Sequence, residues 1–343
     1  MKRTTVFGVA AAAASALLLQ PAAADKVSDH FAGKTVTIIF GYSVGGTYGK
    51  TSLLLSRQLG KHIPGNPTII TKSMPGGGGM IAANYAYNAM PKNGLFLLMP
   101  PDMAIVSQVL RPKKVKYDAR KFTYLGRVFG SNNLIAVRRD SGVTTYEQAT
   151  KKEIIMGSTG KGSPTFIVTS LANGLVGTKL KIVQGYRGSS PLKLAMEQGE
   201  VRGVALAWAS WKNSKLPWFT GPNSFAVGIL QSGFVADKDL PNVPLIRDLA
   251  KGKDAKAAAD LIATSTLIGR SLALPPGAPA FLAEPLRQAF WKTVNSKGFI
   301  DDATKTKLPL SPKKGAEMQK TVDTILGMSP VAIAKARTAI FGK

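Results

Sequence analysis

The chain has 343 residues, room for about two domains, and 45% are hydrophobic, which is enough for a sizeable core and excludes a disordered chain. Lysine and arginine number 45 against 19 aspartate and glutamate, a formal net charge of +26. The absence of cysteine excludes disulfide scaffolds, thiolate metal sites and cysteine nucleophiles. With only His30 and His62 as histidines, we expect no metal site and no cofactor.

The N-terminus has the pattern of an export signal. Met1-Lys2-Arg3 is a positive start, residues 6–19 are apolar, and Ala22-Ala23-Ala24 gives the small-x-small pattern of a cleavage site. The apolar run is shorter than the ~20 residues that span a bilayer. We therefore predict a signal peptide over residues 1–24, cleaved near Ala24, and a periplasmic protein.

The first third of the chain alternates strand and helix patterns. Strands are predicted at 35–40, 68–71 and 95–99, with helices at 47–62 and 80–90 between them. This β-α-β-α-β order predicts a parallel sheet with right-handed crossovers.

A second block begins near residue 129. Its predicted strands are 134–137, 153–156, 181–184 and 201–207, and helices open at Ser163-Pro164 and Ser190-Pro191. Residues 217–223 are rich in proline and glycine and are interpreted as a crossing linker, before a strand at 226–230 that rejoins the first domain. Further helices are predicted at 255–264, 279–294, 315–326 and 330–340. We therefore expect residues 25–128 in lobe 1, 129–222 in lobe 2, and 223–343 in a return to lobe 1 with C-terminal helices.

Glycine-rich turns stand at four strand-to-helix junctions, namely 41–47, 74–79, 157–163 and 185–190. Such turns aim backbone N–H groups in one direction, and the following helix adds its free N–H groups and positive dipole end. Ser163-Pro164 and Ser190-Pro191 also fit an N-cap followed by proline. Each turn taken singly is also explained as a short connecting loop. Two in each lobe predict an anion-binding cleft, because α/β sheets bind ligands beyond the carboxyl ends of their strands.

Three other functions fit the residues less well. Residues 41–45 match G-x-S-x-G around Ser43, but only His62 follows and no acid lies between them, so the hydrolase order fails. A phosphate loop ending at Lys50-Thr51 needs glycine where Val44 stands. The basic clusters are short and scattered, which favours a solvated basic surface and no binding of nucleic acid.

Several segments, taken in order, resemble one family. They are Tyr42 to Gly46, Pro75 to Gly79, Asn93-Gly94, Ser158-Thr159-Gly160-Lys161-Gly162-Ser163, Tyr186-Arg187-Gly188, Leu240-Pro241-Asn242-Val243-Pro244, and Pro275-Pro276-Gly277-Ala278-Pro279 before Leu286-Arg287. From about residue 35 onward the chain resembles the extracytoplasmic receptors of tripartite tricarboxylate transporters, also called Bug-type receptors.

The resemblance implies an α/β fold of the two-lobed, type II periplasmic-binding-protein class, each lobe a mainly parallel sheet flanked by helices. It implies a monomeric receptor without enzymatic activity, which holds a small organic acid and delivers it to membrane permease subunits. In that family, backbone amides and hydroxyls of glycine turns hold the carboxylates, often with ordered water. The matching residues here are Tyr42, Gly45, Gly46, Pro75, Gly76, Gly77, Gly78, Gly79, Ser158, Gly160, Gly162, Ser163, Tyr186 and Arg187.

This chain departs from the family pattern around the first lobe. Gly49, Lys72-Ser73-Met74 and Asn93 stand where the family often has an acid-containing motif. The departures predict an electropositive cleft, with Arg187 as the best candidate for gripping a carboxylate. They leave the ligand open among dicarboxylates, tricarboxylates, aromatic acids and other anions. An exported hydrolase using Ser43 and a carboxylate sensor for a signalling partner remain alternatives at this point.

Overall fold

The computed structural model describes residues 20–342, with side chains from residue 26 on. Most of the predicted signal peptide, residues 1–24, lies outside the described residues. The first described helix contains the predicted cleavage site at Ala24. No helix within residues 20–342 combines the length and the apolar character needed to cross a membrane.

The strands are numbered in chain order. They are β1 (Thr35–Phe40), β2 (Thr68–Ser73), β3 (Phe96–Met99), β4 (Thr123–Phe129), β5 (Asn133–Arg138), β6 (Ile154–Ser158), β7 (Leu180–Gln184), β8 (Gly203–Ala207), β9 (Ala226–Ser232), β10 (Arg270–Leu274) and β11 (Lys313–Lys314).

The helices are numbered in the same way. They are α1 (Gln20–Phe31), α2 (Thr47–Gln58), α3 (Met80–Asn88), α4 (Ala104–Leu110), α5 (Tyr146–Lys151), α6 (Pro164–Val176), α7 (Ser189–Gln198), α8 (Trp208–Lys215), α9 (Ile246–Leu249), α10 (Lys253–Ala263), α11 (Ser265–Ile268), α12 (Ala283–Val294), α13 (Lys297–Lys305), α14 (Gly315–Leu326) and α15 (Pro330–Phe341).

The first sheet has the order β11-β4-β10-β3-β1-β2. β1 lies between β2 and β3 and is parallel to both, which confirms the parallel arrangement predicted for the first third of the chain. β4 and β10 were not predicted from the sequence; β10 lies beside β3 and is antiparallel to it, and β4 lies on the other side of β10 and is antiparallel to β10. Every residue of β10 is buried, so this strand carries Arg270 into the middle of the molecule.

The second sheet has the order β7-β6-β8-β5-β9. β6 is parallel to β7 and β8, whereas β5 is antiparallel to β8 and β9. The predicted α/β fold with two sheets is confirmed, and both sheets are mixed rather than mainly parallel.

One predicted strand belongs to the other sheet. The prediction that residues 226–230 rejoin the first sheet is wrong, because β9 pairs with β5 from Asn133–Ser232 to Arg138–Ala226. The segment before it is also more than a linker. A 3-10 turn at Leu216–Phe219 places Phe219 against the buried Trp211 ring, with centroids 5.4 Å apart. The predicted lobe limits therefore stay a prediction, although the chain passes from the second sheet to the first only after Ser232.

The last helix contacts both lobes. Arg337 of α15 donates from Nε to the Leu110 carbonyl at 3.1 Å and from Nη2 to the Val109 carbonyl at 3.0 Å, at the end of α4. Phe341 stacks on Phe166 of α6, with ring centroids 6.0 Å apart. The C-terminal helix thus joins a helix of the first lobe to a helix of the second.

Gln231 is a fully buried hydrogen-bonding centre at the end of β9. Its Nε2 donates to the carbonyls of Leu240 (3.1 Å) and Val243 (2.6 Å). Its Oε1 accepts from Asn132 Nδ2 (2.8 Å) and from the backbone N–H of Asp237 (3.0 Å). The Gln231 side chain therefore bonds both segments that join the two sheets, the one between β4 and β5 and the one between β9 and β10.

We predict that Gln231→Leu lowers the free energy of unfolding by at least about 2 kcal/mol, because each buried partner left unpaired costs about 1–3 kcal/mol. Urea denaturation followed by circular dichroism measures the loss. Gln288→Leu, an exposed position on α12, is the control and should change stability by no more than about 0.5 kcal/mol. Equal stability of the two variants would contradict this role for Gln231.

Candidate ligand cleft between the two lobes

The glycine turns of the two lobes meet at the carboxyl ends of the strands. The turn after β2 lies against the turn after β6. A Cβ atom at Gly78 would stand 2.6 Å from the backbone nitrogen of Ser163, and one at Gly162 would stand 2.8 Å from the carbonyl oxygen of Gly77. Gly78 also has a φ of +71°, a conformation that favours glycine. The two backbones approach so closely because neither turn carries side chains there.

The other two turns form a second contact across the cleft. The backbone N–H of Ser43 donates to the carbonyl of Arg187 at 3.0 Å. A Cβ atom at Gly188 would lie 2.8 Å from that Ser43 nitrogen, and one at Gly46 would lie 2.6 Å from the hydroxyl of Ser189. The lobes are therefore closed on each other, and the predicted glycine turns form the surfaces that meet.

A small cavity is enclosed between these turns. The centres of water molecules can occupy about 40 Å³ of it, enough for roughly three waters. The residues that line it are Tyr42, Gly46, Thr47, Tyr48, Asp102, Asn133, Thr159, Pro164, Thr165, Ser189, Leu206, Ala207, Ser210 and Arg270. Both lobes contribute, so the cavity exists only while they are closed.

Three helix N-termini border the cavity. α2 begins at Thr47, α6 at Pro164 and α7 at Ser189, and all three residues line it. None of these helices has an acidic residue in its first turn or a side-chain cap on its N–H groups. Their free N–H groups and positive dipole ends therefore favour an anion in the space between them.

The two predicted serine caps differ from the observed ones. Ser163 occupies the N-cap position of α6 as predicted, but its hydroxyl donates to the Gly160 carbonyl at 2.8 Å instead of capping the helix. The cap predicted at Ser190 is wrong, because α7 begins at Ser189 and its N-cap is Gly188, two residues before Ser190. A glycine cap permits the close approach to Ser43 that a serine side chain would block.

Arg270, which was not predicted from the sequence, is the cation that lines the cavity. Its Nη1 atom pairs with Asp102 Oδ2 at 3.0 Å, and its Nη2 atom donates to Thr47 Oγ1 at 2.9 Å. The guanidinium carbon lies 4.0 Å from the centre of the Tyr48 ring, a cation–π geometry. Both charged side chains are only 6% exposed. The only sequence signal was an arginine at the start of a short apolar run.

Two stacked tyrosines form the adjoining wall. The rings of Tyr42 and Tyr48 are 4.5 Å apart, Tyr42 donates to the Gly78 carbonyl at 2.9 Å, and Tyr48 accepts from the Asp102 N–H at 2.7 Å. Burial raises the pKa of both phenols well above their usual value, so both stay protonated. Burial also raises the pKa of the Asp102 carboxyl, and the nearby Arg270 guanidinium offsets part of that rise.

Three buried polar atoms on residues that line the cavity have no hydrogen-bond partner among the described residues. They are Arg270 Nε, Asp102 Oδ1 and Asn133 Oδ1. Buried polar atoms are nearly always paired, because leaving one unpaired costs about 1–3 kcal/mol. They are one donor and two acceptors, each with almost no accessible surface of its own, on residues that form the cavity wall.

The structure divides the predicted ligand residues into three groups. Tyr42 and Gly46 line the cavity. Gly45, Ser158, Gly160, Gly162, Ser163 and the turn from Pro75 through Gly79 lie beside it, where Ser158 and Ser163 bond the lining residue Thr165 at 3.0 and 2.6 Å. Tyr186 donates to Glu200 at 3.2 Å, and Arg187 is exposed and is not a lining residue. Contact of these residues with a ligand stays a prediction.

The cleft carries less positive charge than the sequence predicted. One cation and one anion, Arg270 and Asp102, line the cavity, and they pair with each other. The positive potential of the cavity therefore comes from the N-termini of α2, α6 and α7 and from Arg270 Nε. Most of the chain's excess of lysine and arginine lies outside the cavity.

The hydrolase hypothesis finds no catalytic geometry at Ser43. The Ser43 hydroxyl is buried without a hydrogen-bond partner in the described part of the chain. His30 bonds the Asn93 carbonyl, and His62 lies near Lys61 and Lys292. A serine nucleophile needs a base within hydrogen-bond reach. Residues 20–342 also bring together no cluster of histidine and carboxylate side chains able to hold a metal ion.

We predict that Gly188→Ala keeps the lobes apart, because the added methyl group would occupy the position of Ser43. Gly188 has an extended φ of 165°, so backbone strain does not contribute. The chain has no native cysteine, so cysteines at the exposed Ile70 and Val183 on β2 and β7 accept spin labels. Double electron–electron resonance should give a longer distance between the two labels in Gly188→Ala than in the protein without that substitution. Gly327→Ala, outside the cleft, should leave the distance unchanged; an unchanged distance in both variants would contradict the steric role of Gly188.

Comparisons with known proteins place this fold among periplasmic binding proteins. No protein-family model matches the chain. A Cupriavidus necator protein described as "UPF0065 protein in gbd 5'region" is 24% identical over 312 residues, 86% of this chain and 85% of that protein.

Three solved structures share the fold over most of both chains. The periplasmic binding protein BugD has a TM-score of 0.70 and 14% identity, covering 90% of this chain and 98% of its own. An R. palustris protein with adipate has a TM-score of 0.67 and 17% identity, covering 89% of this chain and 97% of its own. MatC from Rhodopseudomonas palustris with bound malate has a TM-score of 0.67 and 18% identity, covering 88% of this chain and 100% of its own. The resemblance to Bug-type receptors is thus confirmed at the level of the fold, which is the two-lobed α/β fold of periplasmic binding proteins.

Proposed function

We propose that this protein is a Bug-type periplasmic receptor that closes its two lobes on a small organic carboxylate. The observation that carries the proposal is the convergence of three helix N-termini and the buried Arg270 on one cavity formed by both lobes. Each of these features is a known means of holding a carboxylate. Their meeting at a single interlobe cavity distinguishes a ligand site from a set of connecting loops.

The unpaired atoms indicate what else the ligand carries. Arg270 Nε is a donor for a carboxylate oxygen, whereas Asp102 Oδ1 is an acceptor that needs a donor from the ligand. A hydroxy acid offers both groups, whereas a plain dicarboxylate offers no donor to Asp102 Oδ1, and Asp102 stays paired with Arg270 through Oδ2 alone. The small volume of the closed cavity favours a short acid over a tricarboxylate. Structural neighbours solved with malate and with adipate support a carboxylate ligand.

Delivery to a membrane permease is part of the proposal. The sequence resemblance implies the permease subunits of a tripartite tricarboxylate transporter, and BugD is a periplasmic protein. Ligand contacts made by both lobes shift the population toward the closed state, and a permease can read that state. On this proposal the protein acts as a monomer in the periplasm and performs no chemistry on its ligand.

We predict that malate binds more tightly than succinate, which differs only by lacking the hydroxyl, and that citrate binds more weakly than malate. Isothermal titration calorimetry measures the affinities. A thermal-shift assay checks them, because ligand at 100 times Kd adds about 2.7 kcal/mol to stability. No binding of malate, succinate, adipate or citrate would contradict the proposed function. Equal affinity for malate and succinate would contradict the proposal that Asp102 accepts a hydrogen bond from the ligand hydroxyl.

We also predict that Ser189→Ala weakens malate binding about 10- to 100-fold, the usual value of about 1.5–3 kcal/mol for a hydrogen bond to a charged group. Ser189 lines the cavity, and its hydroxyl makes no hydrogen bond within the described residues. Ser190→Ala is the matched control, because Ser190 is adjacent but does not line the cavity. Unchanged affinity in Ser189→Ala, or equal losses in both variants, would contradict the placement of the ligand at the start of α7.

A further inference from the structure

Lys193 on α7 is a buried lysine next to the cleft. Its side chain is almost completely enclosed, with the residue 6% exposed. The Nζ atom donates to the Ser210 carbonyl at 2.6 Å, to the Ser210 hydroxyl at 3.1 Å and to the Ser214 hydroxyl at 2.7 Å. All three acceptors belong to α8, and the Trp211 ring of the same helix has its centre 5.5 Å from Nζ, so the amine contacts neutral groups and no carboxylate.

No carboxylate of the described residues pairs with Lys193. Glu197, one turn further along α7, pairs with Lys215 at 3.0 Å. The charged groups that act on Lys193 are two other cations, Lys50 of α2 in the first lobe and Lys215 of α8. β6 and β8, which lie beneath α7, carry no titratable side chain. A buried charged lysine is nearly always paired with an anion. The described residues supply no such partner to Lys193, so a bound anion is the group that would stabilise its charged form.

The ligand cavity is the nearest place for such an anion. Ser210 bonds Lys193 and also lines the cavity, and Ser189 begins the helix that carries Lys193. Lys50 reaches this region from the other lobe, where its Nζ bonds Asn213 of α8. Lys193 is therefore one side chain away from the cavity and close to the contact between the lobes.

Resting on the proposed function, we propose that Lys193 is a proton-linked positioning residue: it is a neutral amine in the empty cleft near pH 8, and it takes up one proton from solvent when a carboxylate binds. As an ammonium it donates three hydrogen bonds to α8 and holds Ser210 and the start of that helix toward the bound carboxylate. The N–H bond that forms on Lys193 is balanced by the bond to hydrogen that breaks in the buffer acid or hydronium ion supplying the proton, and no other bond changes. The ligand and the proton enter together, so the proton offsets one of the negative charges that the ligand brings into the cleft.

The linkage has a definite sign. Burial, helped by Lys50 and Lys215, lowers the pKa of Lys193 to about 7. An anion in the cavity favours the charged amine and raises that pKa again. Because the bound state holds the proton more tightly than the free state, affinity should fall as the pH rises from 7 toward 9.

Other groups near the cavity titrate outside this range or respond differently. Tyr42 and Tyr48 have pKa values raised far above 9 by burial. Burial raises the pKa of Asp102, and its pairing with Arg270 at 3.0 Å offsets part of that rise; both residues are kept in Lys193→Met, so that variant separates their contribution from that of Lys193. His62, whose pKa is lowered by burial and by Lys292 and Lys61, does not line the cavity.

The test is calorimetry of malate binding at pH 8 in phosphate and in Tris buffers, whose ionisation enthalpies differ. If adipate or citrate binds more tightly than malate, that acid is used. The expected result is an uptake of roughly half a proton or more per ligand in the parent protein. Lys193→Met should remove the uptake and flatten the affinity between pH 7 and 9. Lys193→Arg, which is always charged, should bind without uptake, and Lys256→Met, which replaces an exposed lysine on α10, is the control that should keep it.

The outcomes separate the inference from the proposed function. Binding of the acid with no proton uptake, or an uptake unchanged in Lys193→Met, overturns the linkage and leaves the receptor function in place. Failure of the parent protein to bind any of the acids overturns both. The measurement on the parent protein requires no variant, so a poorly folded Lys193→Met does not prevent the test.

Discussion

The backbone contact between glycine turns of opposite lobes is the constraint on which the rest of the structure depends. Gly78 against Ser163 and Gly188 against Ser43 leave no space for a Cβ atom at either glycine. With the turns in contact, the first turns of α2, α6 and α7 all border the small cavity between the lobes. The glycines thus have two effects. They leave backbone N–H groups free to bind an anion, and they allow the two lobes to approach closely.

Closure also explains the buried charges. Arg270 and Asp102 lie between the lobes and are paired, whereas Lys193 is buried on the second lobe without a carboxylate of its own. Removing charges from water is unfavourable unless other groups compensate them. A bound carboxylate supplies compensation to both the Arg270 Nε atom and the Lys193 region. Ligand binding and closure are on this view one coupled process, because each makes the other more favourable.

The sequence predicted the local elements better than their assembly. The limits of β1 and α14 and the parallel order around β1 follow from apolar runs, glycine and proline, which act locally. β9 was assigned to the wrong sheet, because its partner β5 lies far away in the sequence and the strand itself carries no sign of that partner. β10 was missed because five residues after a helical segment give little periodicity.

The candidate site was predicted in the same uneven way. The glycine turns were found because their composition is unusual, and two of the residues named there line the cavity. Arg270, Asp102 and Asn133 were missed because tertiary packing alone brings them together from three separate segments. Arg187 was favoured because its residue type suits a carboxylate, but exposure depends on the fold, and the structure places it at the surface.

A crystal structure of the protein grown with malate tests the central claim most directly. The account predicts a malate carboxylate enclosed between the lobes, within hydrogen-bond distance of Ser189 and of the first-turn N–H groups of α2 or α6, with its hydroxyl near Asp102. Malate bound at an exposed position such as Arg187, with the interlobe cavity holding only water, would contradict it.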